Sequence, residues 1–195
     1  MIRRKQFGKL ILVTIGLLFT CVYVPLAFAA GPYGDYTESD LRLLPPFCKI
    51  WVEHGRKHSI ERVKKYGYRN IQHLCPGLNA LNHALKQTEK KKRTFPLGVA
   101  ADELTYVLTH SGNFPLRPVV LRKRGKVYEM QGEINMAITD YKEAIKLRPK
   151  YTSVYADLID IYLKIGNKKE AANILKKGLK VNPKSKILLK KQKNV

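Results

Sequence analysis

Two cysteines and the histidines around them are the residues of this chain that offer the most chemistry. Cys48 and Cys75 have 26 residues between them. In an oxidising compartment such a pair can form one bridge, and closing that loop stabilises a fold by roughly 3 to 4 kcal/mol. Two free thiols are one alternative, and a metal site is another because His54, His58 and His73 lie nearby. Since no Cys-x-x-Cys pair or tight histidine spacing supports metal, the pattern favours a structural disulfide.

Acidic residues at helical spacing are the other candidates for chemistry. Asp157 and Asp160 share one helical face and could flank a substrate or an ion, although such pairs more often form a solvated surface. Asp102 and Glu103 are adjacent, so they point in different directions and make a poor acid and base pair. The sequence contains no Gly-x-Ser-x-Gly, phosphate loop or His-Glu-x-x-His. We predict no catalytic residues, no metal site and no cofactor.

A pattern with a period of 34 residues organises the C-terminal half of the chain. In each copy a glycine follows the first helix, where it can take the positive φ that ends a helix. A proline then stops the second helix. The eight positions of the first copy are Leu121, Gly125, Tyr128, Gly132, Ala137, Tyr141, Ala144 and Pro149, and those of the second are Tyr155, Ile159, Tyr162, Gly166, Ala171, Leu175, Gly178 and Pro183.

The stretch from Pro118 to Pro183 resembles two tandem tetratricopeptide repeats, whose usual length is 34 residues. The resemblance implies one helical hairpin over 118–151 and another over 152–185. The second copy departs from the family pattern, because Ile159 replaces the usual small residue and Gly178 replaces alanine. We therefore expect looser packing in the second copy.

Two repeats need neighbours that cover their exposed ends. Leucines at helical spacing predict a helix over 73–86, and further apolar residues predict a second over 97–109. We interpret 71–117 as a degenerate hairpin on this basis. Lysines around an apolar centre predict a basic capping helix and tail over 186–195. The expected fold is an all-α, short solenoid of helical hairpins, with two clear repeats, one degenerate N-terminal hairpin and a C-terminal capping helix.

Residues 1–29 have the pattern of a secretory signal peptide. Basic residues precede an apolar run from Leu10 to Val24, and small residues mark a cleavage site after Ala29. The competing interpretation is an uncleaved membrane anchor, because the apolar run is long. Cleavage removes four of the 37 basic residues and leaves the 15 acidic ones. We expect an exported, strongly cationic protein that is periplasmic, or membrane-associated if the segment is retained.

The segment 30–70 is expected to be a partly irregular extension. Thr37 and Asp40 fit the capping box that opens a helix, and we expect Trp51 to pack on the first hairpin. Leu44-Pro45-Pro46-Phe47-Cys48 and the later His73-Leu74-Cys75-Pro76-Gly77-Leu78 together resemble the N-terminal module of small exported bacterial repeat proteins. The resemblance supports one module containing both cysteines and implies no mechanism.

In tetratricopeptide repeat proteins, the first helix of each repeat lines a concave groove. Carried over position by position, the resemblance places Val119, Arg122, Lys126, Ala156 and Asp160 in that groove. The family's peptide-carboxylate clamp needs asparagine where Lys126 and Asp160 stand, so it implies no clamp of that kind here. An extended segment or a helix of a partner is the expected ligand, and Arg122 could hold a carboxylate in a bidentate fork. The alternative is that these charges only keep the groove soluble.

The formal net charge of the chain is +22, and eleven lysines but one acidic residue occur from Lys164 to the end. This asymmetry favours an anionic partner, such as lipid head groups, acidic polysaccharide or an acidic protein. We expect no nucleic acid, because the leader directs the chain away from it. The predicted function is a non-catalytic scaffold in the bacterial cell envelope that binds a protein partner. The alternative is a cationic electrostatic binder of anionic lipid or acidic polysaccharide.

Overall fold

The computed structural model describes residues 36–53 and 70–195, and all regular secondary structure in these ranges is helical. Residues 46–53 are helical, and six of the other eight helices form three successive hairpins. Their bounds are Glu38–Leu43 (α1), Ile71–Lys86 (α2), Lys90–His110 (α3), Arg117–Gln131 (α4), Ile134–Leu147 (α5), Thr152–Lys164 (α6), Lys168–Val181 (α7) and Lys186–Lys191 (α8). The prediction of an all-α solenoid of helical hairpins is confirmed.

The predicted leader, residues 1–29, lies outside the described residues together with its alternative as an anchor. The same holds for parts of the predicted extension over 30–70. Across 36–53 and 70–195, no helix combines the length and the apolar character needed to cross a membrane.

The first hairpin consists of α2 and α3, which pack closely because α2 carries a glycine at their contact. A Cβ atom on Gly77 would lie 2.9 Å from the Cβ of Glu103. Helix α3 begins at Lys90, well before the predicted start at Leu97. Its first turns are polar and mostly exposed, so the apolar pattern from which we placed this helix could not reveal them.

The first repeat pairs α4 with α5 through a small and a large side chain. A Cβ on Gly125 would lie 2.6 Å from Cε1 of Tyr141, whose side chain is fully buried. Gly132 ends α4 with a φ of 92°, a left-handed conformation that glycine adopts without steric cost. The close approach at Gly125 and the turn at Gly132 therefore fix the geometry of this hairpin.

The second repeat pairs α6 with α7, and Gly166 follows α6 with a φ of 76°. A Cβ on Gly178 would lie 3.0 Å from Cδ1 of Tyr155 in the partner helix and 2.8 Å from Cδ1 of Leu188 in α8. The packing at Gly178 is therefore close, not loose as we expected for the second copy. At this contact the large residue, Tyr155, is on α6 and the small residue, Gly178, is on α7.

Helix α8 covers the end of the second repeat by packing on both α6 and α7. Leu188 is its fully buried residue, whereas Ile187 and Leu189 on either side are exposed. Leu188 thus packs against the last hairpin, whereas Ile187 and Leu189 remain exposed.

At the N-terminal side, α1 is fixed to α2 by a buried carboxylate. Thr37 and Asp40 form the predicted capping box, and Asp40 is 1% exposed. One carboxylate oxygen of Asp40 lies 3.0 Å from Nζ of Lys86 and 3.3 Å from Nε2 of His83. Burial alone would raise the pKa of Asp40, but hydrogen bonds from Thr37 and Lys86 outweigh it and hold the pKa far below its usual value.

A disulfide fastens the helical segment 46–53 to the same helix. The Sγ atoms of Cys48 and Cys75 are 2.10 Å apart, and their Cα atoms are 5.6 Å apart. Trp51 is half-buried, packs against the core and meets the ring of Tyr36 edge-on at 6.1 Å. The disulfide and this aromatic pair hold the N-terminal region, residues 36–53, together and against α2.

Candidate partner-binding groove

The predicted groove residues lie on the first helices of the two repeats. Val119, Arg122 and Lys126 are on α4, whereas Ala156 and Asp160 are on α6. Ion pairs link α4 with α6 through Arg122 and α6 with α8 through Asp160, and we call the side of these three helices that carries the pairs the α4–α6–α8 surface. Val119 is half-buried at its edge, and Ala156 is buried at 3% exposure, which leaves Ala156 as part of the floor.

Arg122 is bound by a carboxylate of the chain itself. Its Nε donates to one oxygen of Asp157 at 2.5 Å, and Nη2 donates to the other at 3.3 Å. Both side chains are mostly buried, with 29% and 21% of their surfaces exposed. Burial would lower the pKa of Arg122, but the hydrogen bond and charge of Asp157 raise it. The fork that the sequence offered to a partner is therefore occupied by Asp157.

Lys123 is the cation of this surface that the sequence analysis missed. It is half-buried beside Arg122, and no described carboxylate forms an ion pair with it. Burial and the positive charge of Arg122 lower the pKa of Lys123, while Asp157 partly opposes that shift. The charge of Arg122 thus acts against the charged form of Lys123, and the carboxylate of Asp157 acts for it. Nothing in the repeat pattern marks this position, because family resemblance placed the groove on its neighbours.

The two remaining charged groove residues are also paired. Lys191 of α8 donates to the carboxylate of Asp160 on α6, and Nζ of Lys126 lies 3.0 Å from Oε2 of Glu129 within α4. The capping helix therefore contributes a side chain that pairs with one of the predicted groove residues. Asp157 and Asp160, which we considered as flanking a substrate or an ion, each face a cation instead.

The aromatic ring of Tyr151, just before α6, contacts two arginines. The guanidinium carbon of Arg122 lies 5.7 Å from the centre of the Tyr151 ring, and that of Arg148 lies 5.6 Å from the same centre. Nη2 of Arg148 donates to the carbonyl of Pro115 at 2.8 Å, which ties this turn to the segment before α4. Arg148 is thus held by a carbonyl and an aromatic ring, whereas Arg122 has the Tyr151 ring in addition to its carboxylate partner.

A second polar cluster lies on the first hairpin, away from the groove. Nδ1 of His73 is 2.7 Å from Oε2 of Glu103, and the Tyr106 ring stacks between His73 and His110 at centre distances of 3.8 Å and 4.1 Å. Adjacent acids drew our attention to Glu103 in the sequence, but its imidazole partner comes from another helix. The described contacts of this cluster join α2 to α3, because His73 lies on the first helix and Glu103 and Tyr106 lie on the second.

Within residues 36–53 and 70–195, no group of three or more His, Cys, Asp or Glu side chains is arranged to hold a metal ion. The two cysteines that were candidate thiols or metal ligands are bonded to each other. His54 and His58 lie outside the described residues.

Comparisons with known proteins find likenesses to tetratricopeptide repeat proteins over part of the chain. A sequence model of the tetratricopeptide repeat family matches residues 130–192. Human tetratricopeptide repeat protein 6 is 33% identical over 69 residues, which are 35% of this chain and 13% of that protein. The small glutamine-rich tetratricopeptide repeat-containing protein 2 of Mycosarcoma maydis is 32% identical over 76 residues, or 39% and 22% of the two chains.

The chain spans less than a quarter of the length of either relative. The matches therefore bear on its repeats and not on the whole of those proteins. Together with the hairpin geometry and the glycine turns, they support a likeness between the helices over 130–192 and tetratricopeptide repeats.

Proposed function

We propose that this tetratricopeptide repeat protein is a non-catalytic scaffold whose α4–α6–α8 surface binds a segment of a protein partner. The observation that carries this proposal is Lys123, a half-buried ammonium with no acidic partner among the described residues, beside the saturated pair of Arg122 and Asp157. A carboxylate from a partner would relieve the repulsion between Lys123 and Arg122. The partner segment is therefore extended or helical and presents at least one acidic side chain.

The bacterial cell envelope is the proposed place of action. Support comes from the leader pattern in residues 1–29 and from the bond between Cys48 and Cys75, which is the kind of bond that persists in oxidising compartments. Mass spectrometry of the protein recovered after export tests this part. An N-terminus at residue 30 is expected for cleavage, and an intact leader would instead make the protein a membrane-anchored scaffold. A protein that stays in the cytoplasm with reduced thiols would overturn the placement.

A cross-linking experiment tests the groove. A photo-crosslinking amino acid in place of Val119 is expected to capture one dominant protein, and capture should survive a high-salt wash. Lys123→Glu should abolish it, because the reversed charge repels the partner's carboxylate. Lys146→Glu is the matched control. Lys146 is exposed on α5, so this variant makes the same change of charge outside the α4–α6–α8 surface. Equal capture by both variants would refute the role of Lys123.

A charge swap separates binding from stability at Arg122. Arg122→Asp combined with Asp157→Arg keeps an ion pair between α4 and α6 but moves the cation to the other helix. We expect thermal stability close to that of the unchanged protein, since the ion pair is retained. We expect weaker capture of the partner, since the positive and negative charges have exchanged positions between α4 and α6. Unchanged capture would mean that the partner does not sense this pair.

A second candidate function is the electrostatic binding of an anionic surface or polymer. One observation favours it: after residue 163, ten of the eleven lysines are exposed and form no ion pair with a described carboxylate, whereas Lys191 pairs with Asp160. Binding of this kind weakens steeply with salt, because the Debye length is about 8 Å at physiological ionic strength. An affinity for anionic ligands that does not change with salt would count against it.

A further inference from the structure

Three of the five lysines of α7 lie on the side of the helix that faces away from the solenoid. Lys169, Lys176 and Lys180 are spaced by seven and four residues and are exposed, so they share one outward stripe. Glu170, the acidic residue of this helix, lies off that stripe and interacts with Asn173. The side packed against α6 consists of Ala171, Ile174, Leu175 and Gly178.

Helix α8 adds apolar side chains to this cationic end of the molecule. Leu188 points inward and is fully buried, so Ile187 and Leu189 lie on the two flanks of the helix, where they are 40% and 44% exposed. Lys186 and Lys190 are exposed on the outward side between them. Two large apolar side chains thus lie beside two lysines that form no ion pair with a described carboxylate, whereas the third lysine of this six-residue helix, Lys191, pairs with Asp160.

The choice of cation also distinguishes among anionic partners. After residue 163 every basic residue is lysine, and the segment has neither arginine nor an aromatic residue. Arginine forks recognise individual phosphates or carboxylates, and aromatic rings stack on bases, so the segment lacks both tools of specific recognition. Lysines act as point charges and suit an array of negative head groups.

We propose that the α7–α8 face docks on a bilayer that contains anionic phospholipid. The lysines of α7 lie over the head groups, and Ile187 and Leu189 enter the interface between head groups and acyl chains. This inference rests on the second candidate function and names its ligand. A soluble polymer would neutralise the lysines equally well, but it offers no apolar phase for the two exposed side chains.

The test uses the full chain with a photo-crosslinking amino acid in place of Leu189. Its control carries the probe in place of Leu85, which is 50% exposed at the other end of the solenoid. Vesicles of phosphatidylglycerol with phosphatidylcholine are compared with vesicles of phosphatidylcholine alone. We expect lipid adducts at position 189 on the anionic vesicles only, and few at position 85. Because any contribution from residues 1–29 is the same in both probes, the difference between them reports on this face.

A matched pair of charge reversals tests the lysine stripe. Lys176→Glu with Lys180→Glu should lower the yield of lipid adducts at position 189 by about tenfold or more, on the scale of about 1 kcal/mol for each lysine near an anionic surface. Lys90→Glu with Lys91→Glu changes the net charge by the same amount on α3 and should leave most of the yield. Equal losses in both variants, or equal adducts at positions 85 and 189, would overturn the proposal.

The failure of this inference can be told apart from the failure of the second candidate function. A soluble acidic polysaccharide is titrated against the same variants. Salt-dependent binding of the polysaccharide through Lys176 and Lys180, without lipid adducts at position 189, would overturn the membrane and retain electrostatic binding. Binding to neither vesicles nor polysaccharide would refute both.

Discussion

The N-terminal region and the two repeats are held on the same solenoid by different means. Residues 36–53 are tied to α2 by the bond between Cys48 and Cys75 and by the buried carboxylate of Asp40, and a few apolar side chains of this segment, such as Leu44 and Trp51, add to these ties. The repeats depend on close packing that recurs along the chain, as at Gly125 and Gly178. A single substitution can remove one of the ties of the N-terminal region. The packing of the repeats is distributed over whole helices.

This difference predicts that the two regions loosen independently. Removing a tie of the N-terminal region should expose α2 while the repeats stay folded, because α4 to α8 bury their own apolar faces against one another. Overpacking a glycine in a repeat should instead weaken the whole hairpin in which it lies.

The largest effect is expected from removing the disulfide. Cys48→Ser with Cys75→Ser should cost roughly 3 to 4 kcal/mol in the chain-entropy model, because the unfolded chain is no longer closed into a loop. Thermal unfolding measures the loss, and hydrogen exchange should show it first in residues 36–53 and α2. The oxidised, unchanged protein is the control. Equal loss of protection across α4 to α7 would show that the two regions are coupled, contrary to this comparison.

Gly125→Ala is expected to have the next largest effect. Its new methyl group would meet the buried ring of Tyr141 at 2.6 Å, and overpacking of this kind costs about 1 to 3 kcal/mol. The better helix propensity of alanine offsets about 1 kcal/mol at most. Denaturant unfolding measures the difference.

Gly98→Ala is the matched control for that variant. Gly98 lies within α3, and a Cβ there meets nothing within 4 Å, so the propensity gain stands alone. This variant should be neutral or slightly stabilising. If both variants gained stability, the contact between Gly125 and Tyr141 would not be as close as the structure shows.

Periodic features of this fold could be predicted from the sequence, because a local pattern specifies each of them. The glycine turns at 132 and 166 and the capping box at Thr37 follow from nearby residues alone. The pairing of Arg122 with Asp157 could not be predicted in this way. It depends on how two helices are offset and rotated, and a single sequence does not give that register.

The same reason explains the other contacts that the sequence did not reveal. His73 meets Glu103 across a hairpin, and Asp160 meets a lysine of the capping helix. The polar start of α3 was missed for a different cause, since apolar periodicity detects only the buried part of a helix. Sequence patterns thus located the helices α4 and α6 but not the ion pairs between them.

A smaller, pH-dependent effect is expected at Asp40. Asp40→Asn removes the buried charge that faces Lys86 and His83 and should cost about 1 to 2 kcal/mol at neutral pH. Because the pKa of Asp40 is lowered in the folded protein, its contribution is complete above the ordinary carboxyl pKa of about 3.9 and is lost as the pH falls below that value. Unfolding measured from pH 7 downward should show the two proteins converging in acid.

Glu38→Gln is the control for Asp40, since Glu38 lies in the same helix and its side chain is 74% exposed. It should change stability little at any pH. A difference between wild type and Asp40→Asn that is constant from neutral to acidic pH would exclude the charge as the cause.

Gly178→Ala is expected to have the smallest effect and sharpens the contrast between the two repeats. The new methyl group would lie 2.8 Å from Cδ1 of Leu188, the movable end of a side chain in the short capping helix, and 3.0 Å from the ring of Tyr155. Since α8 can shift, we expect a net cost below about 1 kcal/mol after the gain in helix propensity. Hydrogen exchange should rise in α8 and not in α4 or α5. A cost as large as that of Gly125→Ala would show that the capping helix is packed as rigidly as the first repeat.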